Sequence, residues 1–268
     1  MFELVMLVFI GTIILGPFTG RPLRIARNKW IENRAHGSIG RYFEYYDTRL
    51  APCNAYYRSL GQEQKVKFVK RVYAFSRSKK FEYIGVEPKQ EMPLLISSAA
   101  IQITFGLDKY LFSYFTTIYV LKAEYRYGLN PNNFQGHVNS HGIYLSWENF
   151  VRGYEDYTDA HNVGLHEMAH ALAFVNFMDP GGRSEDEKFI ADWSHFSAVA
   201  RPIFTEMQAG RSTIFGSYAA TNYNEFWAVA VENFFERPQL VKTNMPELYR
   251  EMCILLNQDP LNPAMILS

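Results

Sequence analysis

The chain has 268 residues, which is enough for one large domain or two small ones. Its 27 Lys and Arg balance 27 Asp and Glu, and this zero net charge argues against a polycationic protein that binds nucleic acid. With 48% apolar residues, the chain also differs from disordered, highly charged proteins. Its two cysteines, Cys53 and Cys253, are too far apart for a CxxC motif and are expected to be free thiols.

The first feature along the chain is an apolar run over residues 4–18, which precedes a basic cluster. As a helix this run would be about 23 Å long, slightly short of a hydrocarbon core of ~30 Å. Its positive charge follows the run and no small-x-small cleavage site is present. This favours an uncleaved membrane anchor over a cleaved signal peptide or a buried first helix. The positive-inside rule then predicts that the chain after residue 20 faces the cytoplasm.

Residues 21–80 carry 15 Lys and Arg but only four Asp and Glu. Their apolar positions recur at spacings of three, four and seven, which predicts helices. Two interpretations of the charge stay open: a solvated helix face, or attraction to anionic lipid beside the membrane. We therefore divide the chain into an anchor at 1–20, a basic helical region at 21–80 and a further domain at 81–268.

Strands and helices are mixed in the rest of the chain, without an internal repeat. Residues rich in β-branched and aromatic side chains predict strands at 81–86, 114–120 and 142–147. Apolar periodicity and flanking Gly and Pro predict helices at 91–106, 162–178, 186–208 and 223–236. Residues 130–142 are expected to form a loop. The fold class predicted is α+β.

The segment His166-Glu167-Met168-Ala169-His170 is an HExxH motif inside a predicted helix, with Asp159 and Asn162 as candidate N-caps. Side chains four residues apart lie on one helix face, so His166 and His170 can bind one Zn²⁺. Glu167 can then take a proton from a zinc-bound water. The alternative is a coincidental pair of surface histidines.

A catalytic zinc site needs a third protein ligand, and spacing alone leaves four candidates. These are Asp192, His195, Glu225 and Glu232. Glu225 stands among apolar residues in the first turn of a predicted helix, where it would either bind a metal or complement the helix dipole. Glu232, two turns later, would either orient a ligand histidine or be a satisfied buried acid.

Several segments together resemble the Mlc titration factor A family of zinc-dependent peptidases, from about residue 50 to 262. They are HEMAH, the preceding GIYLSW, the later YAATNYNEFWAVAVENFFERP, Leu240 and Pro246-Glu247-Leu248-Tyr249. The third segment is also similar to the metal-binding region of the anthrax lethal factor peptidase domain. In that region a Tyr precedes a Glu by seven residues, as Tyr218 precedes Glu225.

The resemblance implies a zincin-like metallopeptidase domain of the gluzincin type, with a small mixed sheet and one zinc ion per chain. It implies His166, His170 and Glu225 as ligands and Glu167 as the general base. It also implies that Tyr218 points into the site, where its hydroxyl could stabilise an oxyanion.

The function predicted is hydrolysis of peptide bonds in peptide or protein substrates, by a peptidase anchored in the membrane through residues 4–18. Strand 142–147 is expected to pair with an extended substrate. One alternative is a regulatory protein that sequesters a partner, because the resembled family is associated with a repressor. Another is a membrane-surface module that binds through the charge of residues 21–80.

Overall fold

The computed structural model describes residues 2–128, 133–178 and 186–263. Within these ranges, side chains are described from residue 23 onward, apart from those of residues 25, 36, 38, 39 and 41.

Helices dominate the described chain and a small sheet accompanies them, which confirms the α+β class. The helices are α1 (Phe2–Cys53), α2 (Ala55–Ser59), α3 (Gln62–Ser78), α4 (Glu91–Thr104), α5 (Trp147–Glu155), α6 (Val163–Ala173), α7 (Glu187–Gln208), α8 (Tyr223–Glu236), α9 (Pro238–Asn244) and α10 (Pro246–Leu256). The strands are β1 (Lys80–Ile84), β2 (Thr117–Leu121), β3 (Gly136–Asn139) and β4 (Gly142–Ser146). A π-helical turn, Phe174–Met178, extends α6, and a 3₁₀ turn, Ser217–Ala220, precedes α8.

The four strands form one sheet in the order β1-β2-β4-β3. Strands β1, β2 and β4 are parallel, whereas β3 runs antiparallel to β4 and forms an edge of the described sheet. Because β4 is hydrogen-bonded on both sides, the prediction that residues 142–147 pair with a substrate is wrong. Ile143 and Leu145 are both buried, as expected of a central strand. The edge strand β3 lies where the sequence predicted a loop.

One face of the sheet packs on helices and the other carries a row of aromatic rings. Helix α6 contacts β3, β4, α4 and α8, so it lies at the centre of the described fold. On the opposite face, Tyr119, Tyr144 and His137 are in register across β2, β4 and β3. Their ring centroids are separated by 4.4 Å and 4.2 Å. Helix α6 therefore packs on one face of the sheet, and the aromatic rings lie on the other face.

Helix α8 is fixed against α6 by Trp227. This side chain is fully buried, and its Nε1–H donates to the carbonyl oxygen of Ala169 at 2.9 Å. Trp193 and Phe196 of α7 pack on the Trp227 ring at centroid distances of 5.0 and 5.3 Å. These contacts set the position of α8 along α6, on which the site described below depends.

The basic region shares a hydrophobic core with the remainder of the described chain. Leu50 of α1 and Phe68 of α3 belong to the same buried cluster as Ile101 of α4 and Leu172 of α6. The division of the chain at residue 80 stays a prediction.

In the part of the chain that the structure describes, no helix is both long and apolar enough to cross a membrane. The predicted localisation, an anchor at residues 4–18 with a domain facing the cytoplasm, is therefore wrong. The apolar run is about 7 Å shorter than a hydrocarbon core. Helix α1 continues beyond it, where Arg24 and Arg27 donate to the carbonyl oxygens of Tyr114 and Ser78. The side chains of residues 4–18 themselves lie outside the described ones.

Candidate metal centre

Helix α6 places two histidines on one face. It begins after Asn162, whose Oδ1 accepts a hydrogen bond from the backbone N–H of Leu165 at 3.0 Å. Asn162, rather than Asp159, is therefore the N-cap. From this start, His166 and His170 follow four residues apart and project in the same direction.

Helix α8 brings a carboxylate to the same place. Its N-cap is Asn222, whose Oδ1 accepts from the backbone N–H groups of Asn224 and Glu225 at 3.0 and 3.1 Å. Glu225 thus occupies the first turn, and the docking of Trp227 on α6 turns this end of α8 toward the histidines. The resulting contact between Glu225 and His166 joins residues that are 59 positions apart in the sequence.

The three side chains converge on one point. Oε2 of Glu225 lies 3.0 Å from Nε2 of His166 and 3.5 Å from Nε2 of His170, and the two Nε2 atoms are 3.1 Å apart. Ligand atoms about 2.1 Å from a tetrahedral zinc ion are about 3.4 Å from one another. The donor set and its spacing therefore fit a divalent metal. Two imidazole nitrogens and one carboxylate also leave a fourth position for water.

The cluster is partly accessible from outside, since the side chains of His166, His170 and Glu225 are 14%, 17% and 19% exposed. Burial would by itself raise the pKa of Glu225, but hydrogen bonds with the two histidines hold that pKa below its usual range. Desolvation opposes protonation of His166, yet hydrogen bonds to Glu225 and Glu232 raise its pKa well above the usual value. The two carboxylates therefore favour the protonated form of the His166 imidazole.

Glu232 contacts the other nitrogen of the first histidine. Its Oε1 lies 2.5 Å from Nδ1 of His166, and its Oε2 accepts from the backbone N–H of Asn162 at 2.9 Å. Both oxygens of this buried carboxylate are thereby used. The bond to Nδ1 leaves Nε2 of His166 directed at Glu225 and the metal position.

Glu167 differs from the other two acids because one of its oxygens has no partner. Only 4% of the residue is exposed, and Oε2 makes no hydrogen bond to any described residue. Burial raises the pKa of Glu167 to about 7, although His166 and His170 act in the opposite direction. A carboxyl group with this pKa can both accept and release a proton near neutral pH.

Tyr218 lies in the 3₁₀ turn before α8, at the open side of the cluster. It is 57% exposed, and its ring centroid is 6.1 Å from that of His166. Desolvation and the neighbouring Glu225 carboxylate raise its pKa, so the hydroxyl keeps its proton at neutral pH. The side chain is thus a hydrogen-bond donor beside the metal position.

The other candidate ligands lie elsewhere. Asp192 and His195 are both on α7, and Asp192 lines a small cavity with Asp108 and Lys188. Within the described ranges, His166, His170 and Glu225 are the one group of three metal-ligating side chains whose donor atoms lie within 4.8 Å of one another.

Sequence reasoning missed β3, whose first residue, Gly136, lies against Glu167. The two turn residues that join β3 to β4, Ser140 and His141, are not the Asn-Gly or Gly-X pair that marks a two-residue hairpin, so this strand had no turn signal. His137, on the same strand, faces away from the metal position, where its Nδ1 bonds to the Tyr125 hydroxyl at 2.8 Å.

Comparison with known proteins finds a family match over most of the chain. Residues 38–255 match the family described as glucose-regulated metallo-peptidase M90. An uncharacterized protein of Synechocystis sp. (strain ATCC 27184 / PCC 6803 / Kazusa) is 26% identical over 216 residues, which are 73% of this chain and 77% of that protein.

Two further relatives carry the name Mlc titration factor A, one from Yersinia pestis (strain Pestoides F) and one from Yersinia pseudotuberculosis (serotype O:1b, strain IP 31758). Each is 29% identical over 127 residues, which are 44% of this chain and 45% of the relative. The chain thus matches less than half the length of these named relatives. These relatives confirm the resemblance to the Mlc titration factor A family that the sequence motifs indicated.

A metallopeptidase family implies a bound metal, and the His166, His170 and Glu225 donors provide a place that fits one. The family match includes every residue of this cluster and covers most of the chain. The chain therefore belongs to the glucose-regulated metallo-peptidase M90 family.

Proposed function

We propose that the protein is a zinc-dependent peptidase of the gluzincin type, with His166, His170 and Glu225 as metal ligands and Glu167 as general base. One observation carries the proposal: three donor atoms meet at metal-ligand spacing near the buried Oε2 of Glu167, which has no hydrogen-bond partner among the described residues. Membership of a metallopeptidase family supports it.

Zinc is the metal that this donor set favours. Imidazole nitrogen combined with one carboxylate suits Zn²⁺, whereas magnesium and calcium prefer oxygen ligands throughout. When bound, zinc would act as a Lewis acid that polarises the peptide carbonyl and lowers the pKa of water.

Glu167 would move the proton. With a pKa of about 7, its carboxylate can take a proton from the attacking water at Oε2 and pass it to the leaving amine. A carboxylate with a partner at Oε2 would be a weaker base. The unpartnered oxygen therefore supports the assignment of Glu167 over that of Glu232, whose two oxygens are both bonded.

The substrate would lie along β3. In the described sheet this strand is hydrogen-bonded to β4 on one side. On its other side the described chain bridges at Phe134, before the strand, to Tyr125, so residues 136–139 would offer the edge for an extended peptide. Gly136 of β3 is adjacent to Glu167, so a peptide paired there would pass the proposed base. Tyr218 would face the same peptide and donate a hydrogen bond to the oxyanion that forms during attack.

The first prediction concerns hydrolysis itself. We expect the purified protein to contain about one zinc per chain and to cleave peptides from a mixed-sequence fluorogenic panel, with loss on chelation and recovery on addition of zinc. Glu167→Gln should keep the zinc but lower kcat by about 10²-fold or more, because the proton acceptor is gone. Glu206→Gln, an exposed acid on α7, is the matched control and should leave kcat unchanged.

Absence of zinc would overturn the proposed metal site, and full activity in Glu167→Gln would overturn the assignment of Glu167 as the base.

The name of the Yersinia relatives describes a protein that titrates Mlc. If this protein held zinc and cleaved no peptide, but bound a partner protein as tightly after Glu167→Gln, the sequestering alternative would replace catalysis.

The second prediction concerns Glu232. Replacing it with Gln removes the negative charge behind His166, so the zinc dissociation constant should rise about 10- to 100-fold, as measured by competition with a chromophoric chelator. Glu236→Gln, one turn further along α8, is the control: Glu236 accepts from Asn162 and makes no bond to His166. Equal zinc affinities in the two variants would show that Glu232 does not support the ligand.

The third prediction concerns Tyr218. Removing its hydroxyl in Tyr218→Phe should lower kcat by about 10-fold or more, with KM and zinc content nearly unchanged, because the donor acts on the transition state. A change in KM alone would show that the hydroxyl contacts the bound substrate but does not stabilise the oxyanion.

A further inference from the structure

The edge strand and the HExxH helix approach each other most closely at Gly136. Side chains alternate along β3, so that Val138 packs toward the core while His137 stacks on Tyr144 at the opposite face. Gly136 belongs to the same face as Val138, and this face is directed at Glu167 of α6.

A side chain at position 136 would occupy the space of the Glu167 carboxylate. A β-carbon built there would lie 2.5 Å from Cγ and Oε1 of Glu167 and 2.6 Å from its Cδ. Carbon atoms in contact are normally about 3.5–4.0 Å apart. An alanine would therefore require a movement of about 1 Å, by the strand, the helix or the carboxylate.

The backbone of Gly136 does not itself require glycine, because its φ angle is not among the positive values found at Gly85, Gly128, Gly210 and Gly216. Any residue could adopt this conformation. Glycine suits position 136 because its missing side chain leaves space for the Glu167 carboxylate.

The strand and the helix are both held in place by other contacts. Gly136 pairs with Leu145, and the backbone N–H of Ser146 donates to the carbonyl oxygen of Gln135 at 2.7 Å. On α6, His166 is bonded to Glu232 and Ala169 to Trp227. The Glu167 side chain, whose Oε2 makes no hydrogen bond within the described ranges, is the part that can move.

From these contacts we infer that Gly136 is a positioning residue for Glu167: the gap at this glycine receives the carboxylate and keeps it beside the His166, His170 and Glu225 cluster. The inference rests on the proposed function, because it takes Glu167 as the base. With no hydrogen bond at Oε2, the position of the carboxylate is set by packing, and Gly136 is the part of that packing contributed by the edge strand.

The first test is a crystal structure of Gly136→Ala, which has a readout independent of activity. The Glu167 carboxylate should be displaced by about 1 Å or more, into a different rotamer, while the three metal-ligating side chains keep their positions. The unfolding midpoint should stay within about 4 °C of that of the wild type, because a flexible side chain yields. An unmoved Glu167 carboxylate would overturn the inference even if no peptide is ever cleaved.

The second test is a double-mutant cycle on hydrolysis. Gly136→Ala should lower kcat by about 10²-fold, with KM and zinc content nearly unchanged, because a misplacement of about 1 Å affects the reacting geometry. In the Glu167→Ala background the same change should cost less than about threefold, since no carboxylate remains to displace. An equal loss in both backgrounds would show that Gly136 acts through the substrate or the strand, and not through Glu167.

Gly142→Ala is the matched control, one strand inward. Its β-carbon would lie 2.7 Å from the carbonyl oxygen of Thr117 and 2.8 Å from Cε2 of Tyr119, away from the metal centre. It should lower the unfolding midpoint more than Gly136→Ala does, yet keep kcat within about threefold. If Gly142→Ala lost as much kcat as Gly136→Ala, both losses would be due to distortion of the sheet, and the inference would be overturned.

The two proposals fail in different ways. Full activity in Glu167→Ala would remove the base and with it the proposed mechanism. A large loss in Glu167→Ala together with full activity in Gly136→Ala would leave the mechanism standing and remove only the role of Gly136.

Discussion

The packing of α8 across α6 is the interaction on which the candidate site depends. The HExxH helix supplies two imidazoles on one face, but the third donor is on a helix that begins more than 50 residues later. Trp227 connects the two helices through its hydrogen bond to Ala169, and Glu232 connects them again through His166 and Asn162. These two contacts fix both the distance and the register at which Glu225 meets the histidines.

The same packing brings three carboxylates into a partly buried space, which would be costly without compensation. Each carboxylate has a different environment. Glu232 has both oxygens bonded, Glu225 faces the two Nε2 atoms, and Oε2 of Glu167 has no partner in the part of the chain that the structure describes. In the proposed function, this difference makes Glu225 the metal ligand, Glu232 the support of a ligand histidine and Glu167 the base. A cation at the donor cluster would compensate part of this negative charge.

Local features of the site could be predicted from the sequence, because helix periodicity fixes them. The spacing of His166 and His170 and the N-cap at Asn162 depend only on residues close in the chain. The third donor could not be selected by spacing, since Asp192, His195, Glu225 and Glu232 all had suitable residue types. Only the tertiary contact through Trp227 separates Glu225 from the others.

Two structural predictions, the loop at residues 130–142 and the membrane anchor at residues 4–18, were wrong because their sequence patterns are short or ambiguous. Strand β3 has four residues, only one of them strongly apolar, so it gave no alternating signal and was predicted as a loop. Its pairing converts β4 from an expected edge into a central strand. The apolar run at residues 4–18 fitted a membrane anchor by composition, but it is shorter than a bilayer core and continues into a helix that packs on the protein.

The central claim is that one metal ion is held between α6 and α8, and anomalous X-ray scattering tests it most directly. Data collected on either side of the zinc absorption edge, from crystals of the protein purified without added chelator, would locate the ion. We expect a single strong peak about 2.0–2.2 Å from Nε2 of His166, Nε2 of His170 and an oxygen of Glu225. A zinc peak at other residues, or the absence of any peak between these three side chains, would contradict it.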